Sequence, residues 1–392
     1  MKVAIVHYWL VGMRGGEKVL EELCALYPQA DLFTLVADPD KLSPALRAHK
    51  ITTSFLQKMG GVKHYQKLLP LMPLALESFD LTGYDLVISS EAGPAKGIVP
   101  APDALHICYC HSPMRYVWDL YPQYRAGAGK VAKLAMTLTA PWLRSWDVTT
   151  AARVDHFIAN SQIVADRIAK YYRRDATVIN PPVDTARFSI SSEVGDFYLC
   201  FGQITPYKKI EIAVDAFTRL GKRLVVAGAG VTPEMRQIAG PTVEFLGAVD
   251  DATLTRLLSQ CRALVFPGLE DFGIVPLEAL ASGRPVIAFG RGGALETVIH
   301  EKTGLLFDVQ TPDALAGAVE RMETIHGDFD PQALRAFAHS FDREAFRARL
   351  RHFFDHALAA HRERAAGHRQ GFAARFDPIP TARIAPLRAA AS

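Results

Sequence analysis

Two carboxylates stand eight residues apart in "EDFGIVPLEALASG", Glu270 to Gly283, directly after the apolar run "ALVFPGL". Paired carboxylates invite an acid and base reading, but they serve equally as grips for hydroxyl groups. On one continuous helix this spacing, a little over two turns, would aim both side chains in broadly the same direction. Pro276 argues otherwise, because it fits the first helical position, where a missing N–H costs nothing. "EDFG" then reads as a loop that leaves a strand, with Glu270 in the loop and Glu278 in the first helical turn. Free amides around Gly273 to Leu277, together with the helix dipole, would favour an anion between the glutamates. The stretch is thus expected to hold hydroxyls on either side of a bound phosphate.

Other residues carry compatible chemistry. Lys208 and Lys209 in "GQITPYKK" offer positive charge, although adjacent lysines often mark only a solvated face. Gly15 and Gly16 follow the first apolar run and open a helical pattern, as close approach of a backbone to a diphosphate requires. "GGALE", residues 292 to 296, is a similar loop and ends in Glu296. His111 closes "LHICYCH" before Ser112 and Pro113, which places it at a strand end; a lone histidine there is usually structural. Cys108, Cys110 and His111 lack the spacing of a zinc site. "DPD" at Asp38 to Asp40 and "DFD" at Asp328 to Asp330 sit in turn-like contexts and are taken as solvated turns, so no metal is expected.

These residues need a scaffold, and the chain repeats one grammar twice. Short β-branched runs alternate with helical segments, the pattern of parallel sheets covered by helices. "KVAIVHYWL", "DLFTLV", "DLVISS", "LHICYCHS" and "HFIANS" are strands of the first half. "FYLCFGQI", "RLVVAGAG", "VEFLGAV", "ALVFPGL", "PVIAFG" and "GLLF" are strands of the second. Between them "VINPPVDTARF" suits a connection, since its paired prolines forbid helix. The 392 residues therefore divide into an α/β pair of doubly wound domains, 1–185 and 186–340. A closing helix near 341–360 returns to the first domain, and 361–392 is read as a mobile tail. Ligands of such sheets sit outside the carboxyl ends of the strands, so two facing sheets imply a site in the cleft between them.

Composition sets outer bounds. The apolar share of 49% is globular, no run is long enough to span a membrane, and the N-terminus reads as a strand, which together predict a cytoplasmic protein. Five cysteines form an odd set without a disulfide framework. A net charge of +3 is too mild for nucleic acid. Two stretches place apolar residues at helical spacing beside lysines and could touch an anionic membrane, although a buried amphipathic helix is the more ordinary account of either: residues 55–72, "FLQKMGGVKHYQKLLPLM", and "GKVAKLAMTLTAPWLRSW".

The E-x7-E spacing of Glu270 and Glu278 resembles that of family 4 of the retaining glycosyltransferases. "GGEKVLEEL", "CHSPMRYVWD", "IANSQIVADRI", "PPVDTARF", "GQITPYKKIEIAVDAF", "GGALETV" and "TGLLF" match in the expected order, from the first strand to about residue 307. The resemblance implies the GT-B fold of two facing Rossmann-like domains. It makes Glu278 the ribose ligand and Glu270 a contact of the transferred sugar, with backbone amides of Phe272, Gly273 and Ile274 nearby. Lys208 becomes the phosphate-binding lysine, Glu296 a residue near the donor, and His111 the residue that reaches the donor sugar. Gln203 stands where the family usually has arginine, which shifts charge stabilisation onto Lys208. Arg115, Tyr116 and Trp118 are acceptor-side candidates; Ser161 in "ANS" has a counterpart near the cleft, and a helix cap accounts for it equally well. "CHSPMRYVWD" with "GQITPYKKI" looks most like bacterial exopolysaccharide mannosyltransferases that use GDP-mannose and a polyprenyl-diphosphate-linked oligosaccharide. Rival readings are the same fold with a UDP-sugar donor or another acceptor, and a nucleotide-sugar-binding protein without turnover. A NAD-dependent oxidoreductase is disfavoured, since no G-x-G-x-x-G follows the first strand.

Overall fold

The computed structural model describes residues 1–375. Among the described residues, thirteen strands build two sheets in which every pairing is parallel. The first contains β1 (Val3–His7), β2 (Asp31–Thr34), β3 (Ile51–Thr53), β4 (Leu86–Glu91), β5 (Leu105–Cys110), β6 (His156–Ala159) and β7 (Ala176–Val178), in the order β3-β2-β1-β4-β5-β6-β7. The second contains β8 (Phe197–Phe201), β9 (Arg223–Ala227), β10 (Val243–Gly247), β11 (Leu264–Phe266), β12 (Val286–Phe289) and β13 (Gly304–Phe307), in the order β10-β9-β8-β11-β12-β13. These are two Rossmann-like sheets of the same winding. Central strands such as "VAIVH" and "LHICYC" are buried along their whole length, because helices cover both faces. The short outer strands β3 and β7 are only half-buried and lack such apolar runs.

Both sheets belong to one unit, Met1–Arg351. The boundary expected near residue 185 falls between β7 and β8. After the second sheet the chain returns to the first: Val183 forms a parallel bridge with Asp342, its N–H donating to Phe341 O at 2.9 Å, Arg343 and Arg347 both pair with the buried Glu22, and Phe346 packs edge-on against Tyr109 at 5.9 Å. The closing helix spans Arg343–Arg375, so residues 361–375, expected to lie in the tail, are helical. Residues 376–392 of that expected tail lie outside the described residues.

The two amphipathic stretches fold differently. The first, whose apolar residues stand at helical spacing, does not form one helix but breaks into the short turns Phe55–Met59, Gly61–His64, Tyr65–Leu71 and Met72–Glu77. Gly60 in the left-handed region and Pro70 interrupt it, and Leu56 and Met72 are buried in the first domain's core. The second is a single 22-residue helix, Lys130–Ala151. Its C-terminal half is anchored by Leu143, Asp147 and Ala151, whereas Val131, Leu134 and Leu138 are 85%, 62% and 70% exposed. No described helix is long and apolar enough to cross a membrane.

Asp147 meets a charged group inside the first domain. Lys96, with no exposed surface, lies against Asp147 and 3.7 Å from Glu91 at the end of β4. Burial would strip its charge, but Asp147 and Glu91 hold the ammonium above its ordinary pKa. Asp147 also accepts from Trp118 Nε1 at 2.8 Å and Tyr172 Oη at 2.9 Å. Removing one partner of such a centre strands the others without solvent. Lys96→Ala is therefore expected to cost about 3–5 kcal/mol, read as a lowered urea midpoint at unchanged slope.

Candidate active site

In an open parallel sheet the strands that flank a reversal of strand order leave a crevice at their carboxyl ends. In the first sheet those strands are β1 and β4, which end in His7 and Ser90–Glu91, while the adjoining β5 leads into His111. In the second they are β8 and β11, which lead into the segment Gly202 to Lys208 and the "EDFG" loop. The two crevices face one another across a cavity of about 310 Å³. Tyr8, Gly15, Gly16, His111, Ser112, Arg115 and Asn160 wall it from one side, and Tyr207 with Glu270 to Val275 wall it from the other.

On the second sheet's side, Lys208 Nζ lies 3.0 Å from Glu270 Oε1, both groups mostly shielded from solvent. Gly202, at φ 124°, makes room for this ammonium: a Cβ there would stand 2.8 Å from Nζ. The helix Ile274–Ala281 starts directly after Gly273, whose φ of 86° suits glycine. Pro276 is consequently the third helical residue, not the first, and Glu278 lies in the second turn. Proline is tolerated there because the first amides of a helix have no internal acceptor. Glu278 is half-buried beyond the cavity wall; burial pushes its carboxyl up, while Lys18, Arg187 and Lys208 pull it down. Gln203 is exposed and does not line the cavity.

The expected donor loop "GGALE" acts as a buttress. Gly293 N donates to Glu270 O at 3.0 Å, and a Cβ on Gly293 would meet the backbone of Phe272 at 2.2 Å. Glu296 accepts from Gln162 N and from Asn180 Nδ2, each at 2.8 Å, so it joins the second sheet's loops to the first domain. Ser161 precedes the helix Gln162–Tyr172 but does not cap it with its side chain; its hydroxyl is buried and donates to Asn160 Oδ1 at 2.9 Å.

On the first sheet's side, Gly15 begins the helix Gly15–Leu26, and a Cβ on Gly16 would stand 3.2 Å from Tyr8 Oη and 3.6 Å from His111 Nε2. Burial lowers the His111 pKa to about 4. Arg115 reaches the cavity, but its guanidinium is engaged by Asp119 at 3.2 Å and by Asp271 at 3.0 Å, the latter from the opposite wall. Arg167 joins this cluster through Asp271 and Asp119. Trp118 points its indole at Asp147 and stacks on Tyr171 at 4.6 Å, away from the cavity. The Tyr116 hydroxyl is buried without a hydrogen-bond partner and also lies off the cavity wall. Sequence reasoning passed over Asp271, Arg167, Tyr8, Tyr207 and Asn160. Asp271 sits inside the "EDFG" loop, where it was overshadowed by its neighbour.

Residues 13–187 match the model of Glycosyltransferase Family 4, and residues 196–324 match that of Glycosyl transferases group 1. The chain carries glycosyltransferase domains in both halves. It is similar to an uncharacterised glycosyltransferase of Methanocaldococcus jannaschii, 35% identical over 138 residues, which are 32% of this chain and 35% of that protein. A GDP-mannose-dependent alpha-(1-6)-phosphatidylinositol monomannoside mannosyltransferase of Mycobacterium tuberculosis is 32% identical over 36% of this chain and 45% of its own. O-antigen chain mannosyltransferase C of Escherichia coli is 26% identical over 75% and 79%. The chain spans roughly a third to a half of the first curated relatives it matches. Sucrose-phosphate synthase of Thermosynechococcus elongatus superposes with TM-score 0.68 at 19% identity, covering 92% of this chain and all of that one. An Anabaena protein in complex with UDP gives 0.67 at 17%, covering 91% and 100%. The fold of these glycosyltransferase domains is GT-B.

Because burial disfavours the imidazolium, His111 stays neutral well below its ordinary pKa and protonates only as pH falls through about 4. Any function that needs its free lone pair is therefore retained from pH 7 to 5 and lost near 4. An NMR titration of the His111 ring is expected to give a midpoint about 4; a midpoint near 6.5 would contradict a desolvated ring.

Proposed function

We propose that this chain is a retaining mannosyltransferase that moves mannose from GDP-mannose to a polyprenyl-diphosphate-linked oligosaccharide in exopolysaccharide assembly. The observation that carries the reading is Glu270, which is paired with Lys208 and lines one cavity together with Gly273, Ile274 and His111. Breaking a sugar–diphosphate bond leaves charge on the departing phosphate, and an ammonium with oriented amides stabilises charge that develops there. An ammonium has three donors, so Lys208 can keep Glu270 while it takes a phosphate oxygen. Glu270 then holds a hydroxyl of the transferred sugar, and Glu278, in the second turn of the helix that follows its loop, takes the ribose.

Neither Glu270 nor His111 is assigned as a covalent nucleophile. In this reading the leaving diphosphate helps to deprotonate the acceptor hydroxyl, and the protein contributes position and electrostatics. The proposal includes no metal ion. The mannose donor is supported by the named activities of the mycobacterial and Escherichia coli relatives. A lipid-linked acceptor is supported by the exposed Val131, Leu134 and Leu138, flanked by Lys130 and Lys133, on the helix Lys130–Ala151.

Incubation with a panel of labelled nucleotide sugars and a short polyprenyl diphosphate oligosaccharide tests the reading; transfer from uridine donors alone would overturn it. Glu278→Ala is expected to weaken donor binding by about tenfold or more while leaving turnover of bound donor, whereas His111→Ala lowers turnover by about a hundredfold. Unchanged kinetics in both removes the site assignment. The double variant Leu134→Glu, Leu138→Glu is expected to lose sedimentation with anionic vesicles while its thermal unfolding midpoint holds. Sedimentation unaffected by the two charges would place any membrane contact elsewhere.

A further inference from the structure

Behind His111 stand three buried polar residues that the reaction described above does not use. His111 Nε2 lies 3.0 Å from Ser90 Oγ, and the other side of that hydroxyl lies 3.3 Å from His7 Nδ1. His7 Nε2 makes no hydrogen bond and faces Glu17 Oε1 at 3.9 Å. Glu17 Oε2 is itself held by the backbone N–H of Arg14 at 2.9 Å. His7, Glu17 and Ser90 are buried to 1% exposure or less. They come from the ends of β1 and β4 and from the first turn of the helix Gly15–Leu26, so three separate elements converge on one ring.

A single hydroxyl between two imidazoles has one proton to give. Both rings are kept neutral by burial, so each carries one N–H and one lone pair. At most one ring can accept from Ser90, and once it does, the other must donate to one of the two lone pairs of that oxygen. Glu17 breaks the tie. If His7 carried its proton on Nδ1, its Nε2 lone pair would face the carboxylate oxygens in a site of low dielectric. A proton on Nε2 instead turns the N–H dipole toward Glu17, which leaves Nδ1 to accept from Ser90. Ser90 Oγ must then accept from His111 Nε2–H.

We propose that Glu17, His7 and Ser90 form a positioning relay that fixes His111 as the Nε2–H tautomer and leaves Nδ1 as its acceptor. No proton is transferred along it; the relay sets directions of donation only. Resting on the proposed role of His111 at the donor sugar, the consequence is that His111 accepts a hydrogen bond from a sugar hydroxyl and cannot donate one. This gives Glu17 of "GGEKVLEEL" a role beyond its place at the start of a helix.

The full-length chain labelled with 15N-histidine tests the relay, since two-bond proton–nitrogen correlations distinguish protonated from bare ring nitrogens. His111 is identified by the resonance lost in His111→Gln. The wild type is expected to show one His111 tautomer, protonated at Nε2. Ser90→Ala shows both tautomers in exchange and lowers kcat by about tenfold with donor KM held within about twofold. Ser90→Thr, which keeps the hydroxyl, retains the wild-type pattern and guards against a mere packing effect. Protonation of wild-type His111 at Nδ1 would overturn the proposal, and so would a His111 spectrum unmoved by Ser90→Ala. A mixed tautomer with unchanged kcat would overturn its catalytic consequence. The spectrum reads the ring without any substrate, so failure of every nucleotide sugar to react would sink the proposed function and leave the relay decided on its own.

Discussion

The buried ammonium of Lys96 is the constraint on which the first domain's half of the site depends. An ion without exposed surface survives only where partners replace its water, and Asp147 and Glu91 do so from a helix and a strand end. Glu91 directly follows Ser90, and its backbone carbonyl accepts from His111 N at 2.6 Å. Asp147 gathers the indole of Trp118 and the hydroxyl of Tyr172 around the same charge. The charge centre therefore fastens the helix Lys130–Ala151, the end of β4 and the start of the loop after His111 to one point. Packing adds to this, because Gly97 lies against Trp146 with no space for a side chain. Neutral packing alone would tolerate small shifts of that helix; a desolvated ion with fixed partners does not.

Across the cleft the same economy appears in another form. Lys208 is paired with Glu270, and the guanidiniums of Arg115 and Arg167 are paired with Asp271 and Asp119. The walls are thus rich in charge, yet each cation already has an anion beside it. An anion brought to this charge set would gain more from the Lys208 ammonium beside Glu270, which can add a partner, than from Arg115, whose fork is occupied by Asp119 and Asp271. Gln203, exposed and off the cavity wall, adds no charge there, so the nearest ammonium to the wall residue Glu270 is that of Lys208.

The fold was legible in the chain because its signals are local. The six apolar runs of the second half all became strands, whereas β3 and β7 escaped notice as three-residue edges with little apolar surface. The site was legible only in part. Residues whose motif sits on a strand-end loop, such as His111, Glu270 and the Gly15–Gly16 pair, meet at the cavity. Trp118, Ser161 and Glu296 carry equally suggestive neighbours but are held by Asp147, Asn160 and Asn180. Nothing in a linear motif tells which side chain a partner far along the sequence has already engaged. Pro276 misled by one feature of the same kind: its ring permits several early helical positions, and Gly273 chose which.

Asp271 and Glu296 show what that consumption achieves. Each reaches from the second sheet's loops to the first domain, Asp271 to Arg115 and Arg167, and Glu296 to the amide that opens the helix Gln162–Tyr172 and to Asn180. Ile274 adds an apolar touch near Gly15. These contacts are polar, yet Arg115, Arg167 and Asp271 are largely shielded from water, so their ion pairs do not exchange for hydration as cheaply as surface pairs do. A greasy seam would hold through buried area alone and tolerate small slips, whereas shielded charges with fixed partners hold the two sides in one register. The architecture therefore combines two half-sites, one pinned by Lys96 and the other by the loop packing of Gly293 on Phe272, with a junction whose paired charges fix their alignment.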